Sequence, residues 1–393
     1  MGLNYAKRMD NIKASEIREL LKLTQQPEII SFAGGLPAPE LFPVKQMAEV
    51  SKQVLEEVGS SALQYGPTEG YGPFREQIVK RMKKGQIETS KENILVTSGS
   101  QQGLDLTGMI FLNPGDVVLC ESPSYLGALN AFKAYQPKFK EVSTDDDGMV
   151  MEDLEKILEE TENVKFVYVI PDFQNPSGRT WSIERRKKLV ELANKYNIAI
   201  IEDNPYGELR FEGEIPPAVK HYDTEGRVAY LGTFSKTFAP GMRLGWICAE
   251  GEFLQKYIFV KQGTDLQTST VSQMQLAKYL EKYDLDEHIE KIKVVYKKRR
   301  DLMLNTMKSE FPEGVKFTYP EGGLFTWVIL PEHINAKDLA KLAIEKKVAF
   351  VPGGSFFPNG GNENTLRLNY SNMDEERIVL GIKRLAECIK EML

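Results

Sequence analysis

Lys236 lies in a short segment, residues 232–243, that also carries hydroxyl side chains, an arginine, glycines and a proline. Apolar runs at 228–231 and 244–248 predict strands on either side, so this loop would lie at a strand end, where open α/β sheets bind ligands. A lysine partly removed from water beside other cations has a lowered pKa and becomes nucleophilic. The segment therefore predicts a phosphate held beside a reactive amine, with Schiff-base chemistry toward an aldehyde. A solvated surface lysine is the alternative.

A second candidate group follows an Ile-rich apolar run at residues 198–201. The run ends in Glu202 and Asp203 and is followed by an Asn-Pro turn, which predicts a buried strand that carries Asp203 at its carboxyl end. An ordinary turn or helix-cap acid is the alternative. Asp203 precedes Lys236 by 33 residues, with strand patterns on both sides, and this spacing favours a functional carboxylate.

Two further apolar runs end in turns that carry polar groups. The run 166–170 leads into an Asn-Pro-Ser-Gly turn at Asn175, which taken alone is a generic turn. The run 94–97 leads into a Gly/Ser turn, after which a helix begins near Ser100 and Gln101. Unpaired N–H groups at a helix N-terminus attract anions, so this turn could hold phosphate oxygens.

These four segments resemble those of the fold-type I, pyridoxal phosphate (PLP) dependent aminotransferases of classes I and II. The resemblance extends over almost the whole chain. The resemblance implies that Lys236 carries PLP as a Schiff base and then acts as the general base. It also implies that Asp203 keeps the pyridine nitrogen protonated and that Tyr206 hydrogen-bonds the phenolate oxygen. The cofactor-binding set implied in this way comprises Ser100, Gln101, Tyr125, Asn175, Asp203, Tyr206, Thr233, Ser235, Lys236, Arg243 and Tyr65.

Within this set, the resemblance assigns the PLP phosphate to Thr233, Ser235 and Arg243 together with the helix start. A planar guanidinium suits this role because it donates two parallel hydrogen bonds to phosphate oxygens. Asn175 would bond both the phenolate oxygen and the substrate carboxylate. Tyr125 would stack on the pyridine ring, with simple core packing as its alternative.

The resemblance also implies a homodimer with shared active sites. Tyr65 matches a tyrosine that reaches across the dimer interface to the phosphate of the neighbouring subunit, so one subunit alone would have an incomplete site. A packed tyrosine in a turn rich in glycine and proline is the alternative, and whether Tyr65 crosses an interface stays open.

Substrate recognition is expected at Arg367, in the alternating strand-like segment 365–371. A buried arginine needs an anion, and the resemblance assigns it the substrate α-carboxylate; a structural salt bridge is the alternative. Gly34 and Gly35 match a flexible segment that lies over the substrate. The run 13–24 resembles the 2-aminoadipate and kynurenine aminotransferase branch, in which the arginine matching Arg18 meets an acidic side chain; a solvated arginine is an equal alternative.

Composition agrees with a globular enzyme that has no metal. The chain has 393 residues, of which 41% are hydrophobic and 27% charged, and its net charge of -6 disfavours nucleic acid as a partner. Three scattered histidines make a metal site improbable. Cys120, Cys248 and Cys388 are widely spaced and predict reduced thiols in a cytoplasmic protein, with neither a signal peptide nor a membrane-spanning run.

Strand and helix patterns alternate from about residue 90 to 250, which predicts an α/β fold with a mostly parallel sheet flanked by helices. By the family resemblance this is the large PLP-binding domain of the fold-type I transferases, at residues 45–290. Residues 1–44 and 291–393 would form a smaller α+β domain.

The predicted activity is ping-pong transfer of an amino group between an α-amino acid and a 2-oxo acid. Glutamate or 2-aminoadipate is the expected donor, with aromatic and branched-chain substrates also accepted, while the physiological pair stays open. The alternatives are a fold-type I lyase or decarboxylase and, less favoured, a non-catalytic PLP-binding regulator.

Overall fold

The computed structural model describes residues 3–10, 12 and 26–393. Its strands, numbered in chain order, are Ile30–Ser31 (β1), Ile94–Thr97 (β2), Val117–Glu121 (β3), Lys138–Val142 (β4), Thr144–Asp145 (β5), Gly148–Met149 (β6), Val164–Val169 (β7), Ala199–Asn204 (β8), Val228–Thr233 (β9), Gly245–Cys248 (β10), Lys316–Phe317 (β11), Phe325–Ile329 (β12), Val348–Ala349 (β13), Val351–Pro352 (β14) and Thr365–Asn369 (β15).

The α-helices in the same part of the chain are Val44–Ala62 (α1), Gly72–Met82 (α2), Ser100–Phe111 (α3), Leu126–Lys133 (α4), Met151–Glu160 (α5), Ile183–Tyr196 (α6), Gly251–Thr264 (α7), Thr270–Lys282 (α8), Leu285–Glu310 (α9), Ala336–Glu345 (α10) and Glu375–Glu391 (α11). None of these helices combines the length and the apolar composition that crossing a bilayer requires.

The central element is a seven-stranded sheet in the order β2-β10-β9-β8-β7-β3-β4. Strand β10 runs antiparallel to both of its neighbours, and every other pairing is parallel. The inner strands are buried on both faces, as parallel strands covered by helices are. Along β7, Phe166 and Tyr168 pack into one hydrophobic core, and Val167 and Val169 pack into the other. The predicted α/β class with a mostly parallel sheet is confirmed.

A second sheet, with the antiparallel order β11-β12-β15-β14, carries the carboxyl-terminal part of the chain. Helices α10 and α11 cover it around a third core, and Ile30 and Phe32 join this core from the amino-terminal side. Helix α9 contributes residues to two cores, because Ile292 packs in the core of the large sheet and Met303 in the core of the small one. The domain boundary between residues 290 and 291 stays a prediction.

Candidate active site

A cleft of about 540 Å³ opens at the carboxyl ends of β8 and β9, the edge at which parallel α/β sheets bind ligands. Most of the predicted site residues line it, although they come from distant parts of the chain. They are Gly35, Ser100, Gln101, Tyr125, Asn175, Asp203, Tyr206, Thr233, Ser235, Lys236, Arg243 and Arg367.

Lys236 lies in the loop that follows β9, and its Nζ donates a 2.7 Å hydrogen bond to the carbonyl of Gly35. Burial, together with the positive charges of Arg367 and Arg243, lowers the pKa of the amine to about 8. An amine with this pKa is partly unprotonated near neutral pH, which is the form that attacks an aldehyde.

Asp203 lies near the end of β8 and is almost fully buried. Its Oδ2 accepts a 2.9 Å hydrogen bond from Tyr168 Oη, while its Oδ1 is buried with no partner among the described residues. Burial raises the pKa of the carboxyl to about 7, against the lowering effect of the Tyr168 bond. A buried acceptor beside the cleft suits a ligand N–H group, and a cationic one would return the carboxyl to its ionised form.

Arg367, on β15, is buried without an ion-pair partner among the described residues. Its Nη1 donates to Asn175 Oδ1 at 2.7 Å, its Nη2 donates to the carbonyl of Ala33 at 2.7 Å, and its Nε is unpaired. Burial lowers the pKa of the guanidinium to about 10. A buried cation that is satisfied only by neutral acceptors is suited to bind a carboxylate from a ligand.

Two aromatic rings flank this guanidinium. Its central carbon lies 4.1 Å from the ring centroid of Phe325 and 5.1 Å from that of Phe356. Both phenylalanines line the cleft, and neither was predicted from the sequence. The other lining residues that the prediction missed are Leu126, Gly127, Asn130, Ile170, Pro205 and Pro240.

The predicted phosphate-binding groups converge at the start of α3. This helix begins at Ser100, and Gly99 before it has a positive φ of 78°. Arg243 Nη2 donates to the carbonyl of Ser98 at 3.0 Å, and a Cβ atom on Gly99 would lie 2.5 Å from that nitrogen. A helix N-terminus, a guanidinium and, beside them, the hydroxyls of Thr233 and Ser235 together make a site suited to an anion.

Four tyrosine and amide side chains complete the cleft lining. Asn175 Nδ2 donates to Tyr206 Oη at 3.4 Å, so both side chains face one part of the cavity. Tyr125 immediately precedes α4, and its ring lies against Gly127, where a Cβ atom would come within 2.4 Å of it. Gln101 Nε2 donates to the carbonyl of Gly127 at 3.0 Å and so ties the two helix starts together. Tyr125 therefore forms one wall of the cleft.

Three predicted residues are not placed in the cleft. Gly34 is half-buried beside Gly35 but does not line the cavity. Tyr65 is 79% exposed in the isolated chain and does not line the cleft. Arg18, and the helix expected at residues 13–24, lie outside the described residues.

Residues 28–385 match the model of the family described as aminotransferase class I and II. The chain belongs to this family. The aromatic-amino-acid aminotransferase 1 of Thermococcus litoralis is 52% identical to it, over 98% of this chain and 94% of that protein. These matches confirm the predicted enzyme class.

Two solved aminotransferase structures are similar over nearly the whole chain. The kynurenine aminotransferase of Pyrococcus horikoshii, in complex with PMP, has a TM-score of 0.95 and 47% identity, over 99% of this chain and 97% of that one. The α-aminoadipate aminotransferase LysN of Thermus thermophilus, complexed with N-(5'-phosphopyridoxyl)-L-leucine, has a TM-score of 0.92 and 41% identity over the same shares. The predicted fold type I and the predicted resemblance to this branch are confirmed.

PLP fits the residues of the aminotransferase cleft. The unpaired Oδ1 of Asp203 suits a protonated ring nitrogen, the group around Arg243 suits a phosphate, and the Lys236 amine suits an aldehyde. The chain is a PLP-dependent aminotransferase, as its sequence predicted.

Proposed function

We propose that this aminotransferase exchanges amino groups between acidic or aromatic 2-amino acids and 2-oxo acids, with the cleft residues in the roles that follow. The observation that carries the proposal is that Lys236, Asp203 and Arg367 line one cleft. PLP, when bound, supplies an electron sink for the electrons released at the substrate Cα.

Each residue then has a defined task. Arg367 binds the substrate α-carboxylate, which replaces the carbonyl of Ala33 at Nη2 and gives the buried cation a charged partner. Asn175 holds the other end of the guanidinium in place. Lys236 Nζ, with its lowered pKa, takes the proton from the substrate Cα, and Asp203 keeps a proton on the ring nitrogen. Binding the carboxylate at Arg367 orients the Cα–H toward Lys236.

The first half of the reaction, in which the amino acid passes its amino group to the cofactor, tests these assignments. Adding glutamate or 2-aminoadipate without an acceptor should shift the absorption of the bound cofactor, and a 2-oxo acid should restore it. Initial rates at several fixed 2-oxo acid concentrations should give parallel lines. Absorption that no amino acid changes, or lines that intersect, would contradict the proposal. A Lys236→Ala variant, which lacks the amine, is the control, and it should show no transamination.

The proposed substrate range follows the similar proteins, which are an aromatic-amino-acid, a kynurenine and an α-aminoadipate aminotransferase. The cations in the cleft lining are Lys236, Arg243 and Arg367, and each already has a role above. An acidic side chain therefore needs a further cation, and Arg18 is the proposed one. Arg18→Ala should raise the KM for glutamate while leaving the KM for phenylalanine unchanged. Unchanged glutamate kinetics would remove this role.

A homodimer with shared sites is part of the proposal. Leu63 and Tyr65 are 75% and 79% exposed, so this loop is free to contact a second copy of the chain. If Tyr65 reaches the partner's phosphate, mixed dimers of Tyr65→Ala and Lys236→Ala chains should contain one intact site and regain activity that neither parent has. No recovery after subunit exchange would contradict the shared site. A cytoplasmic location is also proposed, in keeping with the three buried, unpaired cysteines.

A further inference from the structure

A fully buried lysine lies behind the turn that forms part of the anion site. Lys261, on α7, has no exposed side-chain surface. Its Nζ donates to Asp265 Oδ1 at 2.8 Å, to Asp265 Oδ2 at 3.0 Å and to Gln102 Oε1 at 2.9 Å. Removing an ammonium group from water is costly unless it is paired and hydrogen-bonded, and here all three of its protons have acceptors.

Gln102 connects this lysine to the turn. Its Oε1 also accepts a 2.8 Å hydrogen bond from the backbone N–H of Ser98, and its Nε2 donates to Asp265 Oδ2 at 2.7 Å. An ammonium group and a backbone N–H can only donate, so the atom between them must be the amide oxygen. This arrangement admits one orientation of the Gln102 amide, and Lys261 helps to hold it.

Ser98 is thereby held from both sides. Its N–H is bound by Gln102, and its carbonyl accepts from Arg243 Nη2 at 3.0 Å. The next residue, Gly99, has a φ of 78°, and α3 begins at Ser100. The cluster of Lys261, Gln102 and Asp265 therefore fixes the turn that aims the first N–H groups of α3 and the guanidinium of Arg243 into the cleft.

We propose that Lys261, acting through Gln102, is a positioning residue for the cofactor phosphate. This inference deepens the proposed function and rests on its assignment of the phosphate to Arg243 and the start of α3. Lys261 itself touches neither cofactor nor substrate. Its contribution is to keep the turn in a conformation that binds phosphate without rearrangement, so its loss should weaken phosphate-dependent binding and leave the rest of the cleft intact.

The test uses equilibrium dialysis of the full-length chain against PLP and, separately, against pyridoxal, which lacks the phosphate. Lys261→Met should weaken PLP binding about tenfold, as expected for the loss of a charge-assisted hydrogen bond, while pyridoxal binding stays unchanged. Inorganic phosphate should also compete with PLP less well than in the wild type. A purely structural role would weaken PLP and pyridoxal alike.

Lys220→Met is the matched control, because Lys220 is also a buried lysine, with 4% of its side chain exposed and with Asp223 at 2.8 Å and Glu250 as its ion-pair partners. It does not line the cleft, so its loss should leave PLP binding unchanged. Gln102→Leu is the second variant, since it breaks the link to Ser98 while keeping the Lys261–Asp265 ion pair and so protects the fold. It should show the same selective loss of PLP binding.

The possible outcomes distinguish a failure of the Lys261 positioning role from a failure of the proposed phosphate site. If Arg243→Ala weakens PLP binding but both Lys261→Met and Gln102→Leu bind PLP as the wild type does, the positioning role is wrong and the phosphate site stands. If Arg243→Ala also leaves PLP binding unchanged, the phosphate site itself is misassigned and the inference falls with it. Equal losses of PLP and pyridoxal in Gln102→Leu overturn the positioning role too.

Discussion

Arg367 Nη1 donates a 2.7 Å hydrogen bond to Asn175 Oδ1, across 192 residues of sequence. Arg367 belongs to the small antiparallel sheet, and Asn175 follows β7 of the large sheet. The part of the cleft proposed to bind substrate thus depends on how the two sheets are packed against each other. A carboxylate bound at Arg367 is held in a position that both sheets define.

Replacing the guanidinium tests that dependence. Arg367→Lys keeps the charge but loses the planar fork, so we expect kcat/KM for amino acids to fall by roughly 100-fold, within the range for a broken buried charge pair. Half-reaction rates measured by stopped-flow absorption check this. Arg210→Lys is the control, because Arg210 is also a buried arginine stacked on an aromatic ring, with Phe173 at 4.7 Å, and it does not line the cleft. An equal loss in both variants would contradict the assignment.

The sequence predicted the large sheet because its inner strands are continuous apolar runs, and each ends in a distinctive polar residue. The runs that became β7, β8 and β9 are buried on both faces, so their composition alone identifies them. Asp203 and Lys236 could be assigned because both follow such runs, and parallel strands bring their carboxyl ends to one edge.

The sequence could not predict contacts between side chains that are far apart in the chain and have no distinctive local pattern. Phe325 and Phe356 have the composition of any core position, and only the fold brings both rings to Arg367. Lys261 and Gln102 are 159 residues apart, and each alone is typical of a solvated helix surface. Burial of a charge is decided by tertiary packing, which leaves no local pattern to detect.

We expect glycine to be required at position 99, in the turn proposed to bind phosphate, for two separate reasons: the positive φ there and the space that Arg243 occupies. Gly99→Ala should weaken PLP binding by about tenfold or more, because a Cβ atom would lie 2.5 Å from Arg243 Nη2 and displace the guanidinium. Gly115→Ala is the control, since Gly115 has a similar positive φ of 91° but no atom within 4 Å of such a Cβ. Dialysis against PLP measures both. Equal losses would contradict the proposed role of the space between Gly99 and Arg243.

Asp203 should matter for the chemistry more than for binding. Asp203→Asn removes the negative charge that keeps the ring nitrogen protonated, so we expect kcat to fall at least about 100-fold, or about 3 kcal/mol in barrier height. Tyr168→Phe is the control, because it removes the 2.9 Å hydrogen bond to Oδ2 but keeps the carboxylate, and it should change kcat by less than about tenfold. Single-turnover rates with saturating amino acid distinguish the two variants. Wild-type rates in Asp203→Asn would refute the role of Asp203 at the ring nitrogen.

Lys236 should make the stability of the PLP-free protein depend on pH. Its pKa in the folded chain is about 8, below the ordinary value of 10.5, so the unfolded chain binds more protons between these two values. The contribution of Lys236 to stability should therefore rise with pH across this window, and the cost of burying its cationic amine is present in full below pH 8. Removing the amine in Lys236→Met should stabilise the PLP-free protein at pH 7, by no more than about 3 kcal/mol.

The gain in unfolding free energy of Lys236→Met over the wild type should decrease as the pH rises and vanish near pH 10.5. Urea unfolding followed by circular dichroism, for both proteins at each pH, gives the difference in unfolding free energy directly. Lys45→Met, at an exposed position of α1 outside the cleft, is the control for replacing a lysine by methionine. A Lys236→Met protein that is less stable at pH 7 would show that the amine is stabilised in the cleft, because its bond to the Gly35 carbonyl would then outweigh the burial of its charge.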